Sequence, residues 1–183
     1  MKRTAILVFS LLVCILCSCG ENIDTETPTY NDPPASQYEL DNLMEAFESS
    51  MEYWTEDSRY SESLLCGKHW VLSRTYVETY VDGKLTETSD PTFPASSSSW
   101  DFFFNENHSM RIGDSKGVWL YVNNHIIMRH GGSYYSYEVA GLTQSSLLLK
   151  EEFAVEYGAV DYYIDKSGKH SFLIREFQAK KGK

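Results

Sequence analysis

Residues 113–117 read GDSKG, which matches the G-x-S-x-G pattern around the nucleophile of many serine hydrolases. That pattern works on a sharp strand-to-helix turn, where the serine hydroxyl lies exposed beside a histidine and an oxyanion hole. Here short strand-like segments flank the motif and no helical periodicity follows it. We therefore expect Ser115 to lie in a hairpin loop and not to act as a nucleophile.

Two histidines lie close enough in sequence to suggest a metal site. His125 and His130 fall within one segment that has strand-like composition. Side chains alternate between the two faces of a strand, so residues five positions apart point to opposite sides. We therefore expect that this pair does not share a metal ion. No other pattern in the sequence predicts a metal or a cofactor.

Paired carboxylates are the remaining candidates for acid–base chemistry. Asp161 and Asp165 share one face of a predicted strand, but at about 3.3 Å per residue they lie roughly 13 Å apart. That separation exceeds both geometries that glycoside hydrolysis uses. Glu151 and Glu152 are adjacent and must point to opposite faces. The sequence therefore predicts a protein that is not an enzyme.

Aromatic residues are the most informative feature that remains. The chain has 13 tyrosines, 9 phenylalanines and 4 tryptophans, many of them at alternate positions of predicted strands. An eight-stranded barrel is just wide enough to be filled by its side chains or to hold one small ligand. We predict a cavity for a small apolar or amphiphilic ligand; a barrel packed solid by the same rings is the alternative. The predicted lining residues are Trp100, Phe102, Phe104, Trp119, Tyr121, Tyr135 and Tyr137.

The first residues read as an export signal. Lys2 and Arg3 precede an apolar run that is too short to span a bilayer as a permanent helix. The run ends in LCSCG, which resembles the bacterial lipobox, so we predict a lipoprotein signal peptide over 1–18 and lipidation of Cys19. An ordinary secretory signal is the alternative. Residues 19–35 are rich in proline and acid and predict a disordered tether between the lipid anchor and the folded part.

Loss of the signal leaves Cys66 without a disulfide partner, because Cys19 carries lipid. We expect a buried, inert thiol at Cys66; a reactive or intermolecular thiol is the alternative. The whole chain has a net charge of −10, which disfavours binding to nucleic acid.

Residues 36–63 predict an amphipathic helix and a connector. Ser36 and Glu39 form a capping-box pattern, and the helix is expected to run to about residue 57. We expect its apolar face to pack against the β domain, with one end of a barrel as a candidate position; docking to a partner protein is the alternative. The apolar stripe consists of Leu40, Leu43, Met44, Phe47, Met51 and Trp54.

Residues 64–183 predict an antiparallel β domain. A long strand over 68–80 places its large side chains at even positions and turns back at Asp82 and Gly83, which suit a type I′ turn. A proline- and serine-rich loop follows at 89–99. Short strands separated by turn residues then indicate an up-and-down barrel or a sandwich. They are expected near 100–104, 109–112, 118–122, 125–130, 133–139, 146–151, 153–165 and 171–178.

The order of these motifs resembles a known family. Leu65, Gly67 and Trp70, the Asp-Gly hairpin, and the stretches FFFNENHSM and GVWLYVNNHIIM are similar to the lipocalin-like domain in lipoproteins of Gram-negative gut bacteria. The resemblance implies a calycin-type barrel of about eight strands with one open end. It also implies a cation–π contact in which Arg175 packs on Trp70 to close the other end.

Together these features predict an outer-membrane lipoprotein on the periplasmic or cell-surface side. Its barrel would bind a small apolar or amphiphilic molecule without catalysis. The alternative is a filled barrel that holds another envelope protein through the acidic helix or the loop at 89–99.

Overall fold

The structure is a computed structural model that describes residues 30–54, 58–90, 101–152 and 169–180. These residues form a helix, α1 (Gln37–Met51), a short 3-10 helix (Glu62–Leu64) and nine β-strands. The strands are β1 (His69–Val81), β2 (Lys84–Ser89), β3 (Phe102–Phe104), β4 (Ser109–Ile112), β5 (Ser115–Val122), β6 (His125–His130), β7 (Ser133–Leu142), β8 (Ser146–Glu152) and β9 (Lys169–Lys180).

The strands close into a ring. They follow the order β2-β1-β3-β4-β5-β6-β7-β8-β9, every neighbouring pair is antiparallel, and β9 returns to pair with β1 along nearly its whole length. Because β9 occupies one edge of β1, β2 and β3 must share the other edge. The nine described strands therefore occupy eight wall positions. This confirms an up-and-down antiparallel barrel of about eight strands that is preceded by one helix.

Tight turns join several of the neighbours. Asp82 and Gly83 have φ values of 50° and 73°, the two positive angles that a type I′ turn requires. Asn123 and Asn124 adopt the same combination between β5 and β6, with φ values of 50° and 64°. The Asp-Gly hairpin is confirmed.

We call the end of the barrel where β1 begins the lower end, and the end where β1 turns into β2 the upper end.

Strand β1 contains a bulge that changes which side chains face the interior. Leu72 lies opposite Phe177 and Arg74 lies opposite Glu176, so that Ser73 is an extra residue. Beyond such a bulge the inward and outward positions exchange. The expectation that even positions keep one face was therefore wrong above Leu72, because Arg74 and Tyr76 point outward.

Helix α1 packs on the outer wall of the barrel and not across its end. The capping box is confirmed, since Ser36 and Glu39 each bond the other's backbone N–H. The helix ends at Met51, earlier than predicted. Leu43 is fully buried against Val118 and Ile127, which are outward residues of β5 and β6. These strands carry apolar residues on both faces, so their outer face also needs a cover.

The 3-10 helix and Trp70 close the lower end. Trp70 is fully buried, and its indole N–H donates to the carbonyl oxygen of Leu65 at 2.9 Å. The N–H of Gly67 donates to the carbonyl of Phe104 at 2.9 Å, and Gly67 has a φ of 67° that suits glycine. These bonds tie the segment before β1 to the barrel wall.

The predicted contact between Trp70 and Arg175 was wrong. Trp70 lies opposite Ala179, whereas Arg175 lies opposite Thr75. About four strand positions, roughly 13 Å, therefore separate the two residues along the wall. A different cation, Lys68, lies over the Trp70 ring, with its Nζ atom 5.4 Å from the ring centroid.

Several sequence predictions concern residues outside the described ranges. They include the signal peptide, Cys19, most of the tether, Trp100, most of the loop at 89–99, and the predicted strand at 153–165 with Asp161 and Asp165. Within the described part of the chain, no helix is both long and apolar enough to cross a membrane.

Candidate functional site in the barrel interior

Six of the seven predicted lining residues are described, and all six belong to the cluster that fills the barrel interior. Phe102, Phe104 and Trp119 are fully buried, Tyr121 and Tyr137 are nearly so, and Tyr135 is partly buried. They share a face because residues at alternate positions of a strand point to the same side of the sheet.

The lower half of the interior is filled by its own rings. The Phe102 ring centroid lies 5.5 Å from that of Phe104 and 5.1 Å from that of Phe177. The Phe104 ring is 4.7 Å from Trp119. These are contact distances between packed aromatic rings. The phenylalanine and tryptophan side chains therefore form a hydrophobic core at this level.

The upper half of the interior contains charged and polar groups. The Nη1 atom of Arg175 lies 2.7 Å from Oε2 of Glu151, and its guanidinium lies 5.3 Å from the centre of the Tyr137 ring. The Arg175 side chain is only 12% exposed, whereas that of Glu151 is 40% exposed. Burial raises the pKa of Tyr137 above its usual range, so this phenol stays neutral. Solvent thus reaches one side of a largely buried cation.

Hydroxyl groups lie above the ion pair. The Oγ1 atom of Thr79 and the Oγ atom of Ser171 are 3.2 Å apart on opposing positions of β1 and β9. Thr75 and Leu173 lie on the same inward face. The interior therefore changes from apolar at the lower end to polar and ionic at the upper end.

Glu151 was not predicted to be an interior residue, and Arg175 was predicted to contact Trp70, whereas it pairs with Glu151. A signal was available for Glu151, because it lies two positions after Leu149 and alternation puts the two on one face. No comparable signal existed for the pair, since Arg175 and Glu151 meet only through the pairing of β8 with β9.

The two histidines lie on opposite faces of β6, as predicted. His125 stacks on Trp54 outside the barrel, with ring centroids 4.0 Å apart, and His130 stacks on Tyr135 at 4.7 Å. Burial lowers the pKa of both histidines. Among the described residues, no group of three or more histidine, cysteine and acidic side chains could hold a metal ion.

The GDSKG segment spans the hairpin between β4 and β5, although Ser115 belongs to β5 and not to the loop. Ser115 is the first residue of β5 and lies opposite Ile112 of β4, and β5 continues after it as a strand. Gly117 has a packing role, because a Cβ atom there would collide with the backbone oxygen of Arg129 and the Cβ atom of His130. The second glycine of the motif thus serves the close contact between β5 and β6.

Cys66 is expected to react slowly with thiol reagents in the folded protein. The residue is partly buried, and burial together with Glu62 and Glu106 raises its pKa to about 12. Only the thiolate is a good nucleophile, so few molecules are reactive at pH 8. Labelling with Ellman's reagent at pH 8 should be at least tenfold slower in buffer than in 6 M guanidinium chloride. Equal rates would contradict this assignment.

Comparison of this chain with protein-family models, with curated proteins and with solved structures found no match.

Proposed function

We propose that this protein is a non-catalytic binding protein of the bacterial cell envelope, and that it holds a small anionic amphiphile in the upper half of its barrel. The observation that carries the proposal is the position of Arg175, a largely buried cation that faces the barrel interior. A buried charge costs several kcal/mol unless it is paired, and Arg175 is paired with Glu151, whose side chain is partly exposed. A binding role would account for keeping this ion pair inside the barrel.

The neighbours of Arg175 suit an anionic head group. The carboxylate of Glu151 already occupies one side of the guanidinium at 2.7 Å, so a ligand carboxylate can replace it with similar geometry. The Tyr137 ring offers an apolar face beside the cation. Leu173 and Val77 line the wall above and would contact the alkyl part of the ligand.

We also propose that the protein is attached to the outer membrane. The lipobox-like sequence at Cys19 supports this attachment, with the tether between the lipid and the barrel. The closed eight-position ring with a plugged lower end is in keeping with the lipocalin-like resemblance. In such a protein the upper interior is the place for a ligand.

Removing the Arg175 charge should weaken the binding of an anionic amphiphile. In isothermal titration calorimetry, dodecanoate should bind the wild-type protein more tightly than dodecanol does. Arg175→Met should weaken dodecanoate binding by at least tenfold, because charge-assisted hydrogen bonds contribute about 1.5–3 kcal/mol. Glu151→Gln should strengthen it, because a competing carboxylate is removed.

Arg74→Met is the matched control. Arg74 lies opposite Glu176, the neighbour of Arg175 on β9, but its side chain points outward over the Tyr76 ring. Its affinity for dodecanoate should equal that of the wild type. Equal effects of the two arginine variants, or no binding of dodecanoate by the wild type, would reject the proposal.

A second candidate is an interaction module with a structural barrel, and the ring-filled lower half favours it. The outer face of α1 presents acids and Tyr38, which is 74% exposed. Failure of the wild-type protein to bind any amphiphile would leave this candidate in place.

A further inference from the structure

An open groove runs along the outer surface at the lower rim of the barrel. Its volume is about 810 Å³, within the range of about 300–1,000 Å³ that ligand sites occupy. It lies outside the ring-filled core and is separate from Arg175. The groove is lined by Tyr30, Asn31, Asp32, Gly67, Lys68, Phe103, Asn105, Glu106, Asn107, Gln144, Ser145, Ala179 and Lys180.

One wall of the groove is the segment at 30–32, which is clamped onto the barrel. The Asp32 carboxylate accepts two bonds from Arg111, at 2.6 and 2.9 Å, and lies 2.9 Å from Nζ of Lys116. The side-chain amide of Asn107 donates to the carbonyl oxygen of Asp32 at 3.1 Å. The wall is therefore held by several bonds before any ligand arrives.

The opposite wall is equally constrained. The N–H of Ala179 donates to the carbonyl oxygen of Ser145 at 2.9 Å, and the turn between β7 and β8 is closed by a bond from the Thr143 N–H to the Ser146 carbonyl. Two fixed walls reduce the ordering cost that binding would otherwise incur.

Exposed uncharged polar groups decide the ligand class. The side chains of Asn31, Gln144 and Ser145 are exposed along the groove, and Asn105 is partly exposed. Carboxamides offer both donors and acceptors, as hydroxyl groups on a ligand require. Tyr30 adds an aromatic ring that forms a T-shaped contact with Phe103 at 5.2 Å; the Arg111 guanidinium lies 4.2 Å from the ring centroid, so a ligand would use the face opposite Arg111. An aromatic ring with a polar tip suits a ligand that has both apolar C–H faces and hydroxyls.

Charge does not favour an ionic ligand. The Asp32 carboxylate is neutralised by Arg111 and Lys116, and the Nζ atom of Lys68 already donates to the Leu64 carbonyl oxygen at 2.6 Å. The lining residues include two acids, Asp32 and Glu106, and two lysines, Lys68 and Lys180. Their formal charges therefore balance even though the whole chain carries −10.

We propose that this groove is a binding site for a neutral oligosaccharide. Asn31, Asn105, Gln144 and Ser145 would bond its hydroxyls, and Tyr30 would contact the face of a sugar ring. The site is independent of the amphiphile site in the barrel, and a protein with both would bind two ligands on different surfaces.

Affinity electrophoresis in native gels that contain a neutral polysaccharide tests this proposal. Gels with amylopectin, xylan, galactomannan or β-glucan should include at least one that retards the full-length lipid-free protein. Replacing both Asn31 and Gln144 with alanine should weaken the retardation at least tenfold. Both side chains are exposed, so the melting temperature should stay unchanged. Gln37→Ala is the control, because Gln37 is an exposed amide on α1 outside the groove.

Three outcomes would overturn the proposal. The wild-type protein is not retarded in any neutral gel, or it is retarded only by dextran sulfate and released by salt, or the double variant is retarded as strongly as the wild type. Arg175→Met should leave retardation unchanged, so that failure of the amphiphile site and failure of the groove are distinguishable.

Discussion

The Trp70→Ala variant is expected to unfold with a free energy about 3–5 kcal/mol smaller than that of the wild-type protein. Trp70 is fully buried and packs in the core at the lower end of the barrel. Its loss would leave a large cavity and deprive the Leu65 carbonyl oxygen of its donor. Urea unfolding followed by far-ultraviolet circular dichroism measures the difference.

Two further variants make the test specific to Trp70. Tyr38→Ala removes an exposed ring and should change the free energy of unfolding by less than about 0.5 kcal/mol. Trp70→Phe keeps much of the apolar volume but removes the N–H. Its free energy of unfolding should lie between those of Trp70→Ala and Tyr38→Ala. If Trp70→Ala and Tyr38→Ala differ by less than about 1 kcal/mol, Trp70 does not hold the lower end.

The second-largest effect is expected at Asp32. Asp32→Asn should lower the free energy of unfolding by about 2–3 kcal/mol, because Arg111 and Lys116 lose their shared carboxylate. The Asp32 side chain is 5% exposed, so water compensates little. Thermal or urea unfolding at pH 7 measures this change, with Glu45→Gln on the exposed face of α1 as the control.

The same carboxylate makes stability depend on pH. Hydrogen bonds from Arg111 lower the pKa of Asp32 from 3.8 to about 2, against an opposing effect of burial. A lowered folded-state pKa means that the unfolded chain takes up the proton first, so the contribution is complete above pH 3.8 and is lost as pH falls towards 2. That contribution is about 2 kcal/mol. Asp32→Asn should lose less stability than the wild type between pH 4 and pH 2; parallel curves would contradict the ion pair.

Much of the β architecture could be predicted because its signals are local. The bounds of β4 and β6 coincide with the predicted segments, since alternation and turn residues such as Asn123 mark them within a few positions. The division of one wall position between β2 and β3 was not predictable in this way. It depends on ring closure, because β9 occupies one edge of β1 and leaves β2 and β3 to pair with the upper and lower parts of the other edge.

The candidate sites show the same limit. The inward face of the aromatic strands follows from alternation alone, and six of the predicted rings lie in or against the interior cluster. The ionic pairs were not foreseen, because Arg175 and Glu151 are 24 positions apart in sequence and Arg111 and Asp32 are 79 apart. Such pairs are brought together by the closed ring and by the clamped segment at 30–32, and no local pattern encodes those contacts.

The bulge at Ser73 has a consequence for how this chain tolerates changes in length. Because β1 has one extra residue, its inward side chains fall at even positions below the bulge and at odd positions above it. Deletion of Ser73 would restore a single phase and turn either Trp70 or the whole upper half of β1 inside out. A substitution at Ser73 alters one side chain on the surface. A deletion there changes which side chains face inward along one part of the strand. Insertions and deletions at this point should therefore be far less tolerated than replacements.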